Sequence, residues 1–317
     1  MSPLLIDLLY LVGGFAVAAL GGELFVRGLI GIARSFRMPP AVVGATVAAF
    51  GTSSPELAVA VTAALEGVPA ITFGNIAGAN VANLGLIVGM VLLARAMEVA
   101  PQTIRRDFSF AALTPLITAA LIADGAFSRL DAGILLAAFA LWMGMCVRAA
   151  VKDRGDDDAD DDGRQTPLGI AAYTLSGLAA LLVAGELVVS GATGIGAALG
   201  LDPFVVGSTL VAIGTTMPEF ATVVAARIRG HDEVGLGTAL GSIVFNGLFI
   251  VAVAGLIRPF EANLAAVGAA LAMGLLTVVA AAPLRGTIPR WRGIALLGLY
   301  ASHVMVQLVA GSTGGPG

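Results

Sequence analysis

Two six-residue segments carry the chemistry open to this chain: Gly51-Thr52-Ser53-Ser54-Pro55-Glu56 and Gly214-Thr215-Thr216-Met217-Pro218-Glu219. Each sets a carboxylate, at least two hydroxyls and a proline inside an apolar run. Pro55 and Pro218 cannot donate to the carbonyls of Gly51 and Gly214, and each ring distorts the turn before it. The neighbouring carbonyls of Ala49, Thr52, Ala212 and Thr215 are therefore expected to turn toward the protein interior. A carboxylate at mid-membrane is costly unless it is paired or holds a cation. Neither segment contains Lys or Arg, so cations from solution are the natural partners of Glu56 and Glu219.

A second pair of segments, Gly74 to Asn83 and Gly237 to Asn246, supplies neutral oxygens from Asn83, Asn246 and Ser242. Two carboxylates with carbonyl, amide and hydroxyl oxygens make a hard-oxygen site of the kind that suits Ca2+, which takes six to eight ligands in flexible geometry. Softer metals are disfavoured, because these segments hold no His or Cys and one thioether, Met217.

Plainer readings compete for several of these residues. Gly74 with Gly78, and Gly237 with Gly241, read first as packing devices. Ser53, Ser54 and Thr216, each taken alone, read as hydroxyls bonded to their own backbone. Glu23 has Arg27 four residues on and Glu186 has Ser190, so both read as structural. His231 and His303 read as solvated or structural. Asp158, Asp160, Asp162 and Gly163 match the opening of a calcium loop, but the twelfth position is Gly169 where a bidentate Glu is required, so the match fails.

The elements that position these residues are membrane helices. The 317 residues are 58% hydrophobic and 12% charged, with a mean hydropathy of +0.95, which excludes a large soluble catalytic domain. Apolar runs between polar breaks predict ten helices, near 3–33, 41–64, 70–94, 107–124, 131–151, 168–199, 204–227, 234–257, 264–282 and 293–311. Breaks fall at Met38-Pro39-Pro40, Glu66-Gly67-Val68-Pro69, Asp202-Pro203 and Gly230-His231-Asp232. The first run, from Met1 to Val12, lacks a basic flank and a clear small-residue cleavage site, and reads as a span instead of a removable signal. Alternating ten-residue strands are absent, so the expected fold is an all-α integral membrane protein.

Charge position then orients the bundle. With alternating loops, Arg34, Arg37, Arg95, Arg105, Arg106, Arg148, Lys152, Arg154, Arg164, Arg227, Arg229, Arg285, Arg290 and Arg292 fall on one side. Only Arg129 and Arg258 fall on the other, which makes the first side cytoplasmic and places both termini outside. The net charge of -4 comes from six aspartates at 156–158 and 160–162, without which the balance is +2. They mark a polar cytoplasmic linker. Cys146, the single cysteine, excludes an intrachain disulfide and a Cys-based metal site.

The two chemical segments are copies. An offset of 163 aligns Glu23 with Glu186, Pro40 with Pro203, Gly44 with Gly207, Glu56 with Glu219 and Asn83 with Asn246, and 27 of the 68 positions from Gly22 to Gly89 match without a gap. The expected organisation is a first five-helix repeat over 1–151, the acidic linker over 152–167 and a second five-helix repeat over 168–317. Five spans per repeat is odd, so the copies enter the membrane from opposite sides. In inverted repeats the ion site lies near the midplane, where interrupted helices release carbonyls as ligands.

With these motifs the sequence resembles the cation/calcium antiporter superfamily, and within it the prokaryotic-type sodium/calcium exchangers. The resemblance covers nearly the whole chain. It implies secondary active antiport of Ca2+ against Na+ in a cell membrane by alternating access, with the first and sixth helices sliding across a core that holds four sites in a diamond. It implies Glu56 and Glu219 as shared ligands, completed by the carbonyls of Ala49, Thr52, Ala212 and Thr215 and the side chains of Ser53, Thr216, Asn83 and Ser242. Asn246 stands where some relatives, including potassium-dependent ones, carry Asp, which lowers the expectation of potassium dependence. Ala79 replaces a hydroxyl and Thr216 a Ser. Proton/calcium exchangers share the fold and the paired Glu, so H+ is the alternative coupling ion. Membrane lipid, Ca2+ and Na+ are the expected partners, with no nucleic acid and no cofactor. An intramembrane enzyme is disfavoured by the lack of HExxH, of a Ser/His pair in facing spans and of a His cluster.

Overall fold

The computed structural model describes residues 3–66, 70–152, 166–198, 212–261 and 264–313. The expected breaks at Gly67-Val68-Pro69 and Asp202-Pro203, and nearly all of the acidic linker, lie outside the described residues.

The chain is mostly helix. The helical segments are α1 (Pro3–Phe36), α2 (Pro40–Thr52), α3 (Ser54–Glu66), α4 (70–94), α5 (101–121), α6 (Arg129–Lys152), α7 (Pro167–Ala198), α8 (Ala212–Thr215), α9 (Met217–Ile228), α10 (Asp232–Ile257), α11 (Leu264–Ala281) and α12 (Trp291–Thr313). Among the described residues five helices are long and apolar enough to cross a membrane: Pro3–Phe36, Phe73–Ala94, Arg129–Lys152, Pro167–Leu187 and Asp232–Ile257. The pair α2 and α3, bent by 45° where it meets at Ser53, makes a sixth if counted as one.

Most predicted ranges hold to within a few residues. The fourth differs, beginning at Pro101 instead of 107, because a proline at the first helical position costs no hydrogen bond. Arg106 is therefore not a loop residue. It is buried, and its guanidinium holds Asp107 at 2.7 and 2.9 Å, while the Trp142 indole N–H also donates to Asp107 at 3.2 Å. The turn at Gly230 fits its sequence, with φ of +76°.

Packing divides into two regions. A large apolar cluster joins α4, α5, α6 and α10 around Phe108, Trp142, Phe245 and Leu248. A smaller one joins α1 and α7 to α9 through Phe25, Leu29, Leu181, Ala184 and Met217. α1 and α7 lie against each other along much of their length and together cover α9. Gly177 makes that approach possible, since a methyl there would run into the Phe25 backbone. Gly237 and Gly241 play the expected packing part against α2: a methyl on Gly237 would sit 2.6 Å from the Ala41 carbonyl oxygen, and one on Gly241 would meet that of Ala45. Gly74 does not share it. Nothing lies within 4 Å of its missing methyl.

Two strand pairs tie the sequence halves together. β1 (Met97–Glu98) pairs antiparallel with β4 (Thr287–Ile288), and β2 (Ala126–Phe127) with β3 (Phe260–Glu261). β1 and β3 are related by the same offset of 163 as the motifs.

Candidate ion-binding site

Both helix breaks occur where the prolines require them. Ser53 has φ, ψ of -84°, 14° and Thr216 of -83°, 4°, so each chain leaves α geometry just before its Pro and resumes one residue later, with Glu56 and Glu219 in the first turn of the new helix. Glu56 and Glu219 are both fully buried, and close enough to act on each other electrostatically. Thr52, Ser53, Asn83, Asn246 and Ser242 are fully buried, as are Ala49, Ala212, Thr215 and Thr216 to within a few per cent.

One bond to the carboxylates crosses between the sequence halves and one stays within the second half. Ser53 Oγ donates to Glu219 Oε1 at 2.7 Å, and Ser242 Oγ donates to the same oxygen at 3.2 Å. Ser54, by contrast, returns its hydroxyl to the Phe50 carbonyl at 3.1 Å, and Thr216 returns its own to Ala212 at 3.0 Å and Ile213 at 3.2 Å. Of the three hydroxyls expected to bond their own backbone, Ser53 alone does not. The carbonyls are used alike in the two halves: Ala49 O accepts the Ser53 N–H at 3.0 Å and the Thr52 hydroxyl at 3.5 Å, and Ala212 O accepts the Thr216 N–H at 3.1 Å together with the hydroxyls of Thr215 and Thr216.

What remains is a group of buried oxygens with no donor. Neither oxygen of Glu56 has a hydrogen-bond partner, nor have Glu219 Oε2, Asn83 Oδ1 and Asn246 Oδ1. Buried polar groups are ordinarily satisfied, because each that is not costs about 1–3 kcal/mol. Five such oxygens stand against one unpaired amide nitrogen, Asn83 Nδ2, and this excess of acceptors fits a cation. Among the described residues no three His, Cys, Asp or Glu side chains cluster as a metal site, so a cation here would rest on two carboxylates and neutral oxygens.

A model of the family described as "sodium/calcium exchanger protein" matches residues 6–148 and 169–309. The chain belongs to this exchanger family. It is 31% identical to the putative antiporter CaxA of Alkalimonas amylolytica over 84% of its own length and 85% of that protein. It is 26% identical to the sodium/calcium exchanger MaX1 of Methanosarcina acetivorans over 95% and 98% of the two chains. Its structure is similar to that of the sodium-calcium exchanger NCX_Mj soaked with 100 mM Na+ and 10 mM Sr2+, with a TM-score of 0.81, 28% identity and coverage of 95% and 98%.

Three features of this chain escape a reading of its sequence. Asn83 and Asn246 both lie in wide π-helical turns, Ala82–Val88 and Phe245–Ile250, which an amino-acid pattern does not announce. The second is Asn80. The Asn246 amide N–H donates to Asn80 Oδ1 at 3.2 Å. Asn80 lies three residues before Asn83 on one helix face, a spacing that could have drawn attention to it. Glu23 also does more than its i+4 spacing implied: besides the Arg27 pair at 2.8 Å, it binds the guanidinium of Arg229 on the far end of α9.

Proposed function

We propose that the chain is a secondary antiporter exchanging Ca2+ for Na+ by alternating access, with Glu56 and Glu219 at a site shared by the two ions. The observation that carries this is the group of donorless buried oxygens contributed by Glu56, Glu219, Asn83 and Asn246. Ca2+, or Na+ ions bound in the same pocket, neutralise the two carboxylates. Helices slide across the core readily only when that charge is compensated, since two bare carboxylates are costly to carry past apolar walls. Flux of one ion is thus tied to the other without a covalent step. With Na+ moving inward down its gradient, Ca2+ is extruded.

The proposed architecture is ten spans in two inverted repeats, residues 1–151 and 168–317, joined by the acidic linker over 152–167. The 163-residue offset supports it, as do the two strand pairs, each of which joins one half to the other. The charge asymmetry of the loops supports a cell-membrane orientation with both termini outside and the linker cytoplasmic. α1 and α7 are the sliding pair, because they pack mainly on each other and cross the faces of α8 and α9.

Uptake of radiolabelled Ca2+ into proteoliposomes under an imposed Na+ gradient, or an imposed pH gradient, tests the reading. Stimulation by the Na+ gradient is expected. A response to the pH gradient alone replaces Na+ by H+ as the coupling ion, and Ca2+ flux without any counter-ion makes the protein a channel.

A further inference from the structure

We infer that Asn80 is a positioning residue for the ion site: it fixes the rotation of the Asn246 amide so that its oxygen, and not its nitrogen, is offered to the cation. The inference rests on the proposed ligand role of Asn246 and concerns a residue that bears no ligand role itself.

Ile243, Asn80 and Asn246 form a chain of donors and acceptors with one end fixed. Asn80 Nδ2 lies 3.5 Å from the Ile243 carbonyl oxygen, which can only accept. That carbonyl therefore draws the amide nitrogen of Asn80 to itself and turns Asn80 Oδ1 toward Asn246. An amide oxygen also only accepts, so Asn246 must present its nitrogen, and it does so at 3.2 Å. Asn246 Oδ1 is left on the other side, fully buried and without a donor. It lies one helical turn beyond Ser242, which donates to Glu219, and the π-turn that carries it packs against α3, the helix whose first turn carries Glu56. A residue that did not set the rotation would leave either face of this amide toward the carboxylates, and a nitrogen there would repel a cation.

Gly247, next to Asn246, lets α5 close in on the π-turn: a methyl there would collide with Thr114, whereas Asn80 Nδ2 would stay at an ordinary contact of 3.7 Å.

The repeat supplies an internal control. Position 80 corresponds to Ile243 and Asn83 to Asn246. An isoleucine side chain cannot orient an amide, and neither Asn83 Nδ2 nor Asn83 Oδ1 has a hydrogen-bond partner. The two amides of the site thus differ: one is held with its oxygen inward, the other is not held.

The test uses the full-length protein, equilibrium binding of Ca2+ alone in Na+-free detergent solution, and exchange in proteoliposomes. Asn80→Ala is expected to raise half-saturating Ca2+ by about tenfold, in the range typical of groups that orient a metal ligand, while the maximal exchange rate at saturating Ca2+ stays within about twofold. In an Asn246→Asp background the same change is expected to shift half-saturation by less than about twofold, because a carboxylate offers an oxygen in either rotation. An equal shift in both backgrounds means that Asn80 acts through general packing and overturns the inference, as does no shift in the native background. Asn80→Leu, which fills similar space without a hydrogen bond, replaces Asn80→Ala in the same comparison if the smaller variant fails to fold. Asn246→Ala separates the levels. If it leaves Ca2+ binding unchanged, Asn246 is not a ligand and the inference falls with that assignment. If it weakens binding while Asn80→Ala does not, the inference alone falls. A native protein that binds no Ca2+ overturns both.

Discussion

Glu56 and Glu219 occupy equivalent places in two copies of one motif, yet their surroundings are not equivalent. Glu219 accepts hydrogen bonds from Ser53 and Ser242, whereas Glu56 accepts none. Two substitutions account for the difference. The residue related to Ser242 is Ala79, which has no hydroxyl, and the residue related to Ser53 is Thr216, whose hydroxyl is taken by the carbonyls of its own helix. The duplicated backbone puts both carboxylates in the same kind of broken helix. The side chains around it bring two bonded hydroxyls to Glu219 and none to Glu56. A repeat conserves architecture more strictly than it conserves hydrogen bonding.

The largest effects should come from removing the feature the halves share. Glu56→Gln and Glu219→Gln are each expected to cut Na+-driven Ca2+ uptake by at least about 100-fold, since one carboxylate leaves a buried divalent cation only half neutralised. Uptake by either variant within tenfold of the native rate would show that one carboxylate suffices. Ser53→Ala and Ser242→Ala act on the satisfied side only and should raise half-saturating Ca2+ by about tenfold each, the scale of a hydrogen bond to a charged group. Equilibrium binding measures this, and shifts confined to one of the two would divide the support of Glu219 unequally.

Ala79→Ser tests the comparison in the other direction. It places a hydroxyl where the first half lacks one and is expected to change half-saturating Ca2+ by about threefold with folding retained, roughly the lower range of a net hydrogen bond. Unchanged binding would mean that position 79 does not face Glu56 as position 242 faces Glu219. The smallest effect concerns the ion pair between α1 and α9. Arg229 binds Glu23, whereas the related positions carry Glu66 and Glu186, two like charges that cannot form a counterpart. Arg229→Gln should lower stability by no more than about 1 kcal/mol, because both side chains are partly exposed. A thermal midpoint in detergent reads it, and a drop of many degrees would assign the pair a role in holding the sliding helices.

Much of this was legible in the residues. The helix boundaries follow from Pro and Gly placement, and the break before each glutamate follows from the absent proline N–H at 55 and 218. Ser53 and Ser54 show where that legibility stops. They are adjacent and chemically identical, but one bonds Glu219 in the other half and the other bonds Phe50 in its own helix. The packing of α2 against α9 and α10, with Gly237 and Gly241 admitting close approach to α10, brings Ser53 within reach of Glu219. Asn80 stayed hidden for a related reason: comparing the halves draws attention to what they share, and its counterpart is Ile243.

Sequence alone determined that the chain lies in a membrane, that it is built twice, and that two carboxylates sit beside prolines in apolar helices with no basic residue to pair with. Those are properties of composition and spacing along a single strand of chain. Tertiary structure decided which oxygens are donorless, which hydroxyls cross between the halves and which way an amide turns. Hydrogen bonds between residues more than 160 positions apart depend on directions and distances that no local pattern encodes.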